Sequence, residues 1–215
     1  MKIDILTLFP EMIEQALSHS IPARAQKSEK VEIKAHLLRQ WGVDKHGNVD
    51  DTPYGGGPGM ILRVDVAQKA LEAVDPGHKA WRVMLSPDGD SFNQLLAKEF
   101  LAKDHLVLLC GRYEGFDARI EAYVDQKLSI GPFVLSGGEL AALVIVDAVS
   151  RLIPGVLGNS QSLEYETFEN DVTDFPQYTR PDTYNDQSVP EILKSGHHAE
   201  IEAWRRAHQK PLTNN

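Results

Sequence analysis

Four short strand-like segments, each closing on a glycine or proline turn, with helically spaced segments between them, set the strongest limit on what this chain can become. Ile3 to Leu8 ends at Phe9-Pro10 and is followed by a helical stretch from Glu11 to Leu17. Trp81 to Leu85 ends at the turn Ser86-Pro87-Asp88-Gly89, and Phe92 to Leu101 then reads as a helix. His105 to Cys110 ends at Gly111, and Val124 to Ile130 ends at Gly131-Pro132. Between these lie Val31 to Leu37, which alternates like a half-exposed strand, and Val64 to Val74, which carries helical spacing and stops at Asp75-Pro76-Gly77. Strands that alternate with helices predict an α/β fold with a mostly parallel sheet covered on both faces. A helix over 138–152 is apolar nearly all round, so it belongs in an interior or at a subunit interface. From Gly158 to about Gln187 the periodicity disappears, as in a linker or an active-site loop. A small helical tail follows His197-His198, with Ile201, Trp204 and His208 on one face.

Composition narrows the function classes. The longest unbroken apolar stretch, Leu140 to Val146, is far short of the roughly 18 residues a membrane helix needs. Asp4 and Pro10 interrupt the amino-terminal segment where a secretory signal requires an apolar core, and a single cysteine, Cys110, rules out an internal disulfide. These features predict a cytoplasmic protein with no membrane partner. A net charge of −9 argues against a general nucleic-acid binder, and no DNA partner is expected. Arg24, Lys27, Lys30, Lys34 and Arg39 make one locally basic segment, best read as a solvated face.

Ligands of parallel sheets bind in loops at the carboxyl ends of the strands. Three such loops here bear glycine, at Leu85–Gly89, Cys110–Asp117 and Ile130–Glu139, and together they predict a small-molecule pocket. The stretch TPYGGGPGM (52–60) looks at first like a phosphate loop. It lacks the Gly-Lys-Ser/Thr ending that holds phosphate and Mg²⁺, which weighs against a phosphotransferase. Cys110 at a strand end reads as a small buried hydrophobe, and His197-His198 lacks the spacing of a metal site. Arg112, Glu114, Asp117 and Arg119 read, on their own, as a surface ion-pair cluster.

The stretches YGGGPGM (54–60), CGRYEGFDAR (110–119), SIGPFVLSGGEL (129–140), SRLIPGVLGNS (150–160), PQYTRP (176–181) and VPEILKSGHHAEIEAWR (189–205) resemble the bacterial tRNA (guanine-37, N1)-methyltransferase family, TrmD, in the family's order. The resemblance runs from LFPEM (8–12) to about Arg206. It implies a SPOUT-type mostly parallel α/β fold with a carboxyl-terminal trefoil knot, a topology no periodicity argument predicts. It implies a homodimer that binds S-adenosylmethionine and tRNA, and it allows for Mg²⁺, for which the sequence offers no ligand set. Residues 1–158 become the cofactor-binding methyltransferase domain, 159–187 an interdomain active-site loop, and 188–215 a small, shortened helical tRNA-binding domain.

Residue by residue, the implied cofactor contacts are Ser86, Pro87 and Gly89; Gly111, Tyr113 and Glu114; and Ile130, Gly131, Pro132, Phe133, Val134, Leu135, Gly137 and Gly138. Glu114 would then lie beside the cationic sulfonium. The glycine-rich loop borders the site, with Asp50 ahead of it, and Asp50, Asp174, Tyr178 and Arg180 are the implied RNA contacts. The family's arginine falls at Arg151, and its catalytic Asp-Ser-Phe triplet falls at Glu166-Thr167-Phe168. The chemistry agrees, because methylation at guanine N1 needs a base for the N1 proton and a cation for the charge that develops on O6. The base must leave its stack to be reached. Other departures are Asp88 for glutamine, Pro132-Phe133 for an acidic-aromatic pair, Ala141 for proline, Asp171-Val172-Thr173 for Gly-Leu-Leu, and Gln177 for histidine. The longer Glu166 side chain leaves a second reading, a cofactor-binding family member with impaired catalysis that acts as an RNA-binding protein.

Overall fold

The computed structural model describes residues 1–157, 166–168 and 172–212. The chain forms two compact units, Met1–Gly158 and Asn159–Asn215.

In the first unit, strands β1 (Lys2–Thr7), β2 (Glu32–Leu37), β5 (Trp81–Ser91), β6 (His105–Cys110) and β7 (Gln126–Ser129) form one sheet of order β2-β1-β6-β5-β7, and every pairing in it is parallel. The mixed α/β class and the mostly parallel sheet are therefore as the sequence predicts. Side chains alternate across the sheet, so each central strand feeds two cores. Leu6, Val107 and Leu109 join Val66, Ala70 and Leu71 of α3 (Val64–Val74) in one cluster. Alternation turns Ile3, Ile5, Leu106 and Leu108, all fully buried, to the opposite face. There α5 (Glu139–Ser150) packs against β6 and against α1 (Pro10–Leu17), α2 (Ser20–Lys27) and α4 (Gln94–Leu101).

Several boundaries differ from the sequence reading. The strand expected to stop at Leu85 resumes after its turn, and Asp90 and Ser91 pair with Leu128 and Ser129 after a register shift. The helix expected from Phe92 begins at Gln94, where the Asn93 side chain accepts the Leu96 amide at 3.0 Å and caps it. Helix α2 carries no sequence signal, because it buries only Pro22, Ala23 and Ala25, residues too small to register as an apolar stripe. The five basic residues at 24–39 are all exposed, spread over α2, its following turn, β2 and a 3₁₀ turn at Leu38–Trp41.

A short hairpin of β3 (Asp50–Asp51) and β4 (Ile61–Leu62) flanks the glycine-rich loop. It is tied to the segment after β6 by three backbone bonds: Leu62 N–H to the Gly115 carbonyl at 2.9 Å, Asp117 N–H to the Leu62 carbonyl at 2.9 Å, and Glu114 N–H to the Met60 carbonyl at 3.0 Å.

In the second unit, a hairpin of β8 (Thr183–Tyr184) and β9 (Gln187–Ser188) turns through Asn185 and Asp186, both at positive φ. This short hairpin lies in the stretch, to about Gln187, that the sequence reads as a linker or an active-site loop. Helices α6 (Glu191–Lys194) and α7 (His198–His208) follow, and on α7 the rings of Trp204 and His208 stack at 3.9 Å.

Candidate active site

Because β5, β6 and β7 are adjacent and parallel, their carboxyl ends open on one edge of the sheet. A cavity of about 520 Å³ lies there, a size suited to a small ligand. Its walls come from the three glycine-bearing loops: the turn inside β5, the segment after β6, and the long connection from β7 to α5. The structure brings together Ser86, Pro87, Gly111, Tyr113, Glu114, Ile130, Gly131, Phe133, Val134, Leu135, Gly137 and Gly138 at this wall. It does not bring Gly89 or Pro132 there. A Cβ at Gly89 would stand 2.5 Å from the Leu128 amide nitrogen, so this glycine serves the contact with β7, and Pro132 points to solvent.

Two loops are drawn together at the cavity floor. Gly138 N–H donates to the Gly111 carbonyl at 2.9 Å, and Arg112 bridges Gly137 in antiparallel fashion. Tyr113 sits at φ 60°, a left-handed conformation that non-glycine residues seldom take and that clusters at functional sites. Gly59 reaches the site from the glycine-rich loop. At its φ of +84° a Cβ would lie 2.6 Å from Glu114 Oε1, so this glycine gives the Glu114 carboxylate its room.

The wall is charged on one side. Asp88 accepts the Ser86 hydroxyl at 2.5 Å and Lys127 Nζ at 2.9 Å, and these bonds hold its carboxyl below the usual range. Lys127 also meets Glu121 at 3.0 Å. The Arg119 guanidinium beside Asp117 brings that carboxyl down to about 2. Burial, then the nearby Glu139 charge, pushes the Cys110 thiol well above its usual value, so this cysteine is an inert part of the strand end.

Sequence reasoning passed over Arg112, Phe116, Lys127 and Ala141 as wall residues. Arg112 and Phe116 lie inside a motif already singled out, and the Phe116 ring fills the space a side chain at Gly111 would need. Lys127 carried no signal, since its position follows only from the pairing of β7 with β5.

The remaining candidates stand elsewhere. Asp50 begins β3 opposite Leu62, half-buried. Arg151 caps the carboxyl end of α5 and is half-buried. In the second unit Glu166 is half-buried, and the hydroxyl of its neighbour Thr167 accepts the Asp174 amide at 3.0 Å. Asp174 accepts the Phe175 amide at 2.7 Å, Tyr178 meets Trp204 edge-on at 6.2 Å, and Arg180 is exposed. Among the described residues no group of three or more His, Cys, Asp or Glu side chains is arranged to hold a metal ion, and no helix is long and apolar enough to cross a membrane.

The profile of the family described as tRNA (Guanine-1)-methyltransferase TrmD matches residues 1–215. A tRNA (guanine-N(1)-)-methyltransferase of Citrifermentans bemidjiense is 49% identical over 215 residues, covering 99% of this chain and 86% of the relative. Proteins of the same name from Clostridium botulinum (47% over 213 residues; 99% of this chain, 88% of the relative) and Thermus thermophilus (48% over 206 residues; 96% and 85%) are similarly close. A match along the full chain, at this identity, with the glycine-bearing loops gathered at one strand edge, places the protein in the tRNA (guanine-1)-methyltransferase (TrmD) family.

Proposed function

We propose that this protein transfers a methyl group from S-adenosylmethionine to N1 of the guanosine 3′ to the anticodon, as a cytoplasmic homodimer with the SPOUT-type trefoil knot of its family and a helical carboxyl-terminal tRNA-binding domain. The observation that carries the reading is the cavity at the ends of β5, β6 and β7, whose glycine-bearing wall lets a ligand approach the backbone closely. The donor set fits an adenosyl sulfonium: main-chain groups of the 130–138 loop offer edge-on hydrogen bonds to a purine, and Glu114 supplies a carboxylate near a cation. When bound, the cofactor supplies an electrophilic methyl group.

The chain's own residues then have three tasks. Glu166 accepts the N1 proton, which at neutral pH still sits on the guanine and blocks attack. Arg151 stabilises the negative charge that passes to O6 as that proton leaves. Asp50, Asp174, Tyr178 and Arg180 hold the RNA with the target base turned out of its stack. The hydrogen bonds that Asp174 accepts from the Phe175 amide and the Gln177 side chain, and the edge contact of Tyr178 with Trp204, support such a role, because they hold both side chains in place. Mg²⁺ has no assigned ligand here.

The test is transfer of radiolabelled methyl to unmodified tRNA transcripts with guanosine or adenosine at position 37. Label at N1 of the guanosine transcript alone is the expected outcome. Cofactor binding without transfer to any transcript would replace the reading with that of a non-catalytic RNA-binding family member.

A further inference from the structure

Three segments distant in sequence meet at one carboxylate behind the cavity. Glu139, the first residue of α5, is 1% exposed. Its Oε1 accepts the Thr7 hydroxyl at 2.7 Å, and its Oε2 lies 3.0 Å from Arg112 Nη2. Arg112 donates from Nη1 to the Ser136 carbonyl at 3.2 Å and lays its guanidinium 4.5 Å from the centre of the Phe9 ring. Arg112 and Ser136 line the cavity, whereas Glu139 does not.

Stability alone is a poor reason for this arrangement, since desolvation of a buried ion pair offsets most of its attraction. Here the ends are not even aligned: Glu139 Oε2 accepts no hydrogen bond of good geometry, and Arg112 Nε donates none. There is also no slack. A Cβ at Gly137 would lie 2.5 Å from Glu139 Oε2 and closer still to Arg112 Nε, so only glycine lets the guanidinium pass. The attraction to Glu139 therefore rests on charge, and the fork is what lets Arg112 face Glu139 from Nη2 while it donates to Ser136 from Nη1.

We infer that Glu139 and Arg112 are positioning residues for the pocket: the buried charge of Glu139 holds the Arg112 guanidinium on the Ser136 carbonyl, and this fixes the 111–114 loop against the 130–138 loop at the spacing the cofactor requires. The role rests on the reading of the cavity as the S-adenosylmethionine site. Neither residue touches the methyl group or the guanine in this scheme, so cofactor affinity is the quantity they set.

Glu139→Gln keeps the shape and the acceptor for Thr7 while it removes the charge. The full chain is measured by calorimetry with S-adenosylhomocysteine, by thermal unfolding and by steady-state methyl transfer. The expected result is a melting temperature within about 3 °C of wild type, binding weakened roughly tenfold, and a cofactor KM raised in proportion, with kcat and the tRNA KM within about twofold. Arg112→Lys keeps a cation but loses the fork, and it gives the same loss; the double variant loses no more than either single, because the pair acts as a unit. Wild type that binds S-adenosylhomocysteine, with Glu139→Gln within twofold of it, overturns the positioning role and leaves the pocket's reading intact. Wild type that binds neither S-adenosylhomocysteine nor S-adenosylmethionine overturns the pocket's reading itself, and the role with it. Should Glu139→Gln fail to fold, Arg112→Lys decides: an unchanged cofactor KM overturns the role.

Discussion

Gly138 carries a steric demand, not a conformational one. Its φ of −77° is open to any residue, yet a Cβ there would stand 2.8 Å from Cys110 Cα and 3.1 Å from the Gly111 nitrogen. Both are backbone atoms at the end of β6, so neither yields without moving the strand. Gly138→Ala is therefore expected to cost about 1–3 kcal/mol of stability, as overpacking does. It should also weaken S-adenosylmethionine binding, because the displaced atoms are those of the pocket floor. Urea unfolding and calorimetry check both; a wild-type midpoint with wild-type affinity would show that the two loops part easily. Glu166 makes the complementary case, a residue whose proposed role is chemical. Glu166→Gln keeps the size of the side chain and loses its basicity, so kcat should fall roughly 10²- to 10⁴-fold while the cofactor KM holds. Turnover at the wild-type rate would remove this carboxylate from the proton transfer. The role proposed for Glu166 comes from its triplet in the sequence, whereas the demand at Gly138 has no such sign, because a glycine with an ordinary φ looks like any other until its neighbours are known.

At the scale of elements, legibility followed side-chain size. Runs such as Ile3 to Leu8 and His105 to Cys110 announced buried strands because large apolar residues fill most of their positions, as a parallel strand covered on both faces requires. Helix α2 went unannounced since alanine and proline make its buried stripe, and the return of β5 after its turn went unannounced since exposed polar residues make that segment. Strand β1 also holds a feature that only pairing reveals. Asp4 is fully buried, and it is met by Lys2 Nζ at 2.6 Å, His36 Nε2 at 2.6 Å and His105 Nε2 at 2.7 Å, from β1 and both its neighbours. Burial alone would raise its pKa; the hydrogen bonds from Lys2, His36 and His105 together outweigh burial and lower it. Asp75, buried against Arg82 and the Lys79 and Ala80 amides, shifts the same way. A carboxyl lowered in the folded state adds stability that is present above its unfolded value, about 3.9, and is lost as pH falls through the folded value. Unfolding free energy should therefore drop steadily from about pH 4.5 downward. Asp4→Asn should flatten that slope and cost about 1–3 kcal/mol at pH 7, since Lys2, His36 and His105 lose the charged acceptor that they share. A slope equal to that of wild type would mean that Asp4 titrates alike in both states.

For the whole molecule, the three loops that form the cavity could be read from their glycines, but the bonds that fasten them could not. Arg112 and Glu139 are 27 positions apart, and Thr7 is distant from both, so no local pattern marks their meeting. The same limit applies to assembly. Helix α5 is apolar nearly all round, which demands cover on every side. The sheet and the neighbouring helices cover Ala142, Ile145, Val146 and Val149, yet Leu140 and Val144 remain 51% and 45% exposed. They stand four residues apart, on one stripe of the helix. Phe133 and Val134, in the loop that leads to α5, are exposed as well, so large apolar side chains face solvent both on this helix and just before it. A second copy of the chain is the occupant that the proposed homodimer supplies. Sedimentation should then give twice the 23.9 kDa chain mass, and the melting temperature should rise with protein concentration. Leu140→Glu and Val144→Glu should each shift the equilibrium to monomer, because a carboxylate held in an apolar interface is left without a partner. Wild type that sediments as a monomer at micromolar concentration, with both variants indistinguishable from it, would leave α5 without its cover and remove the homodimer from the proposed function.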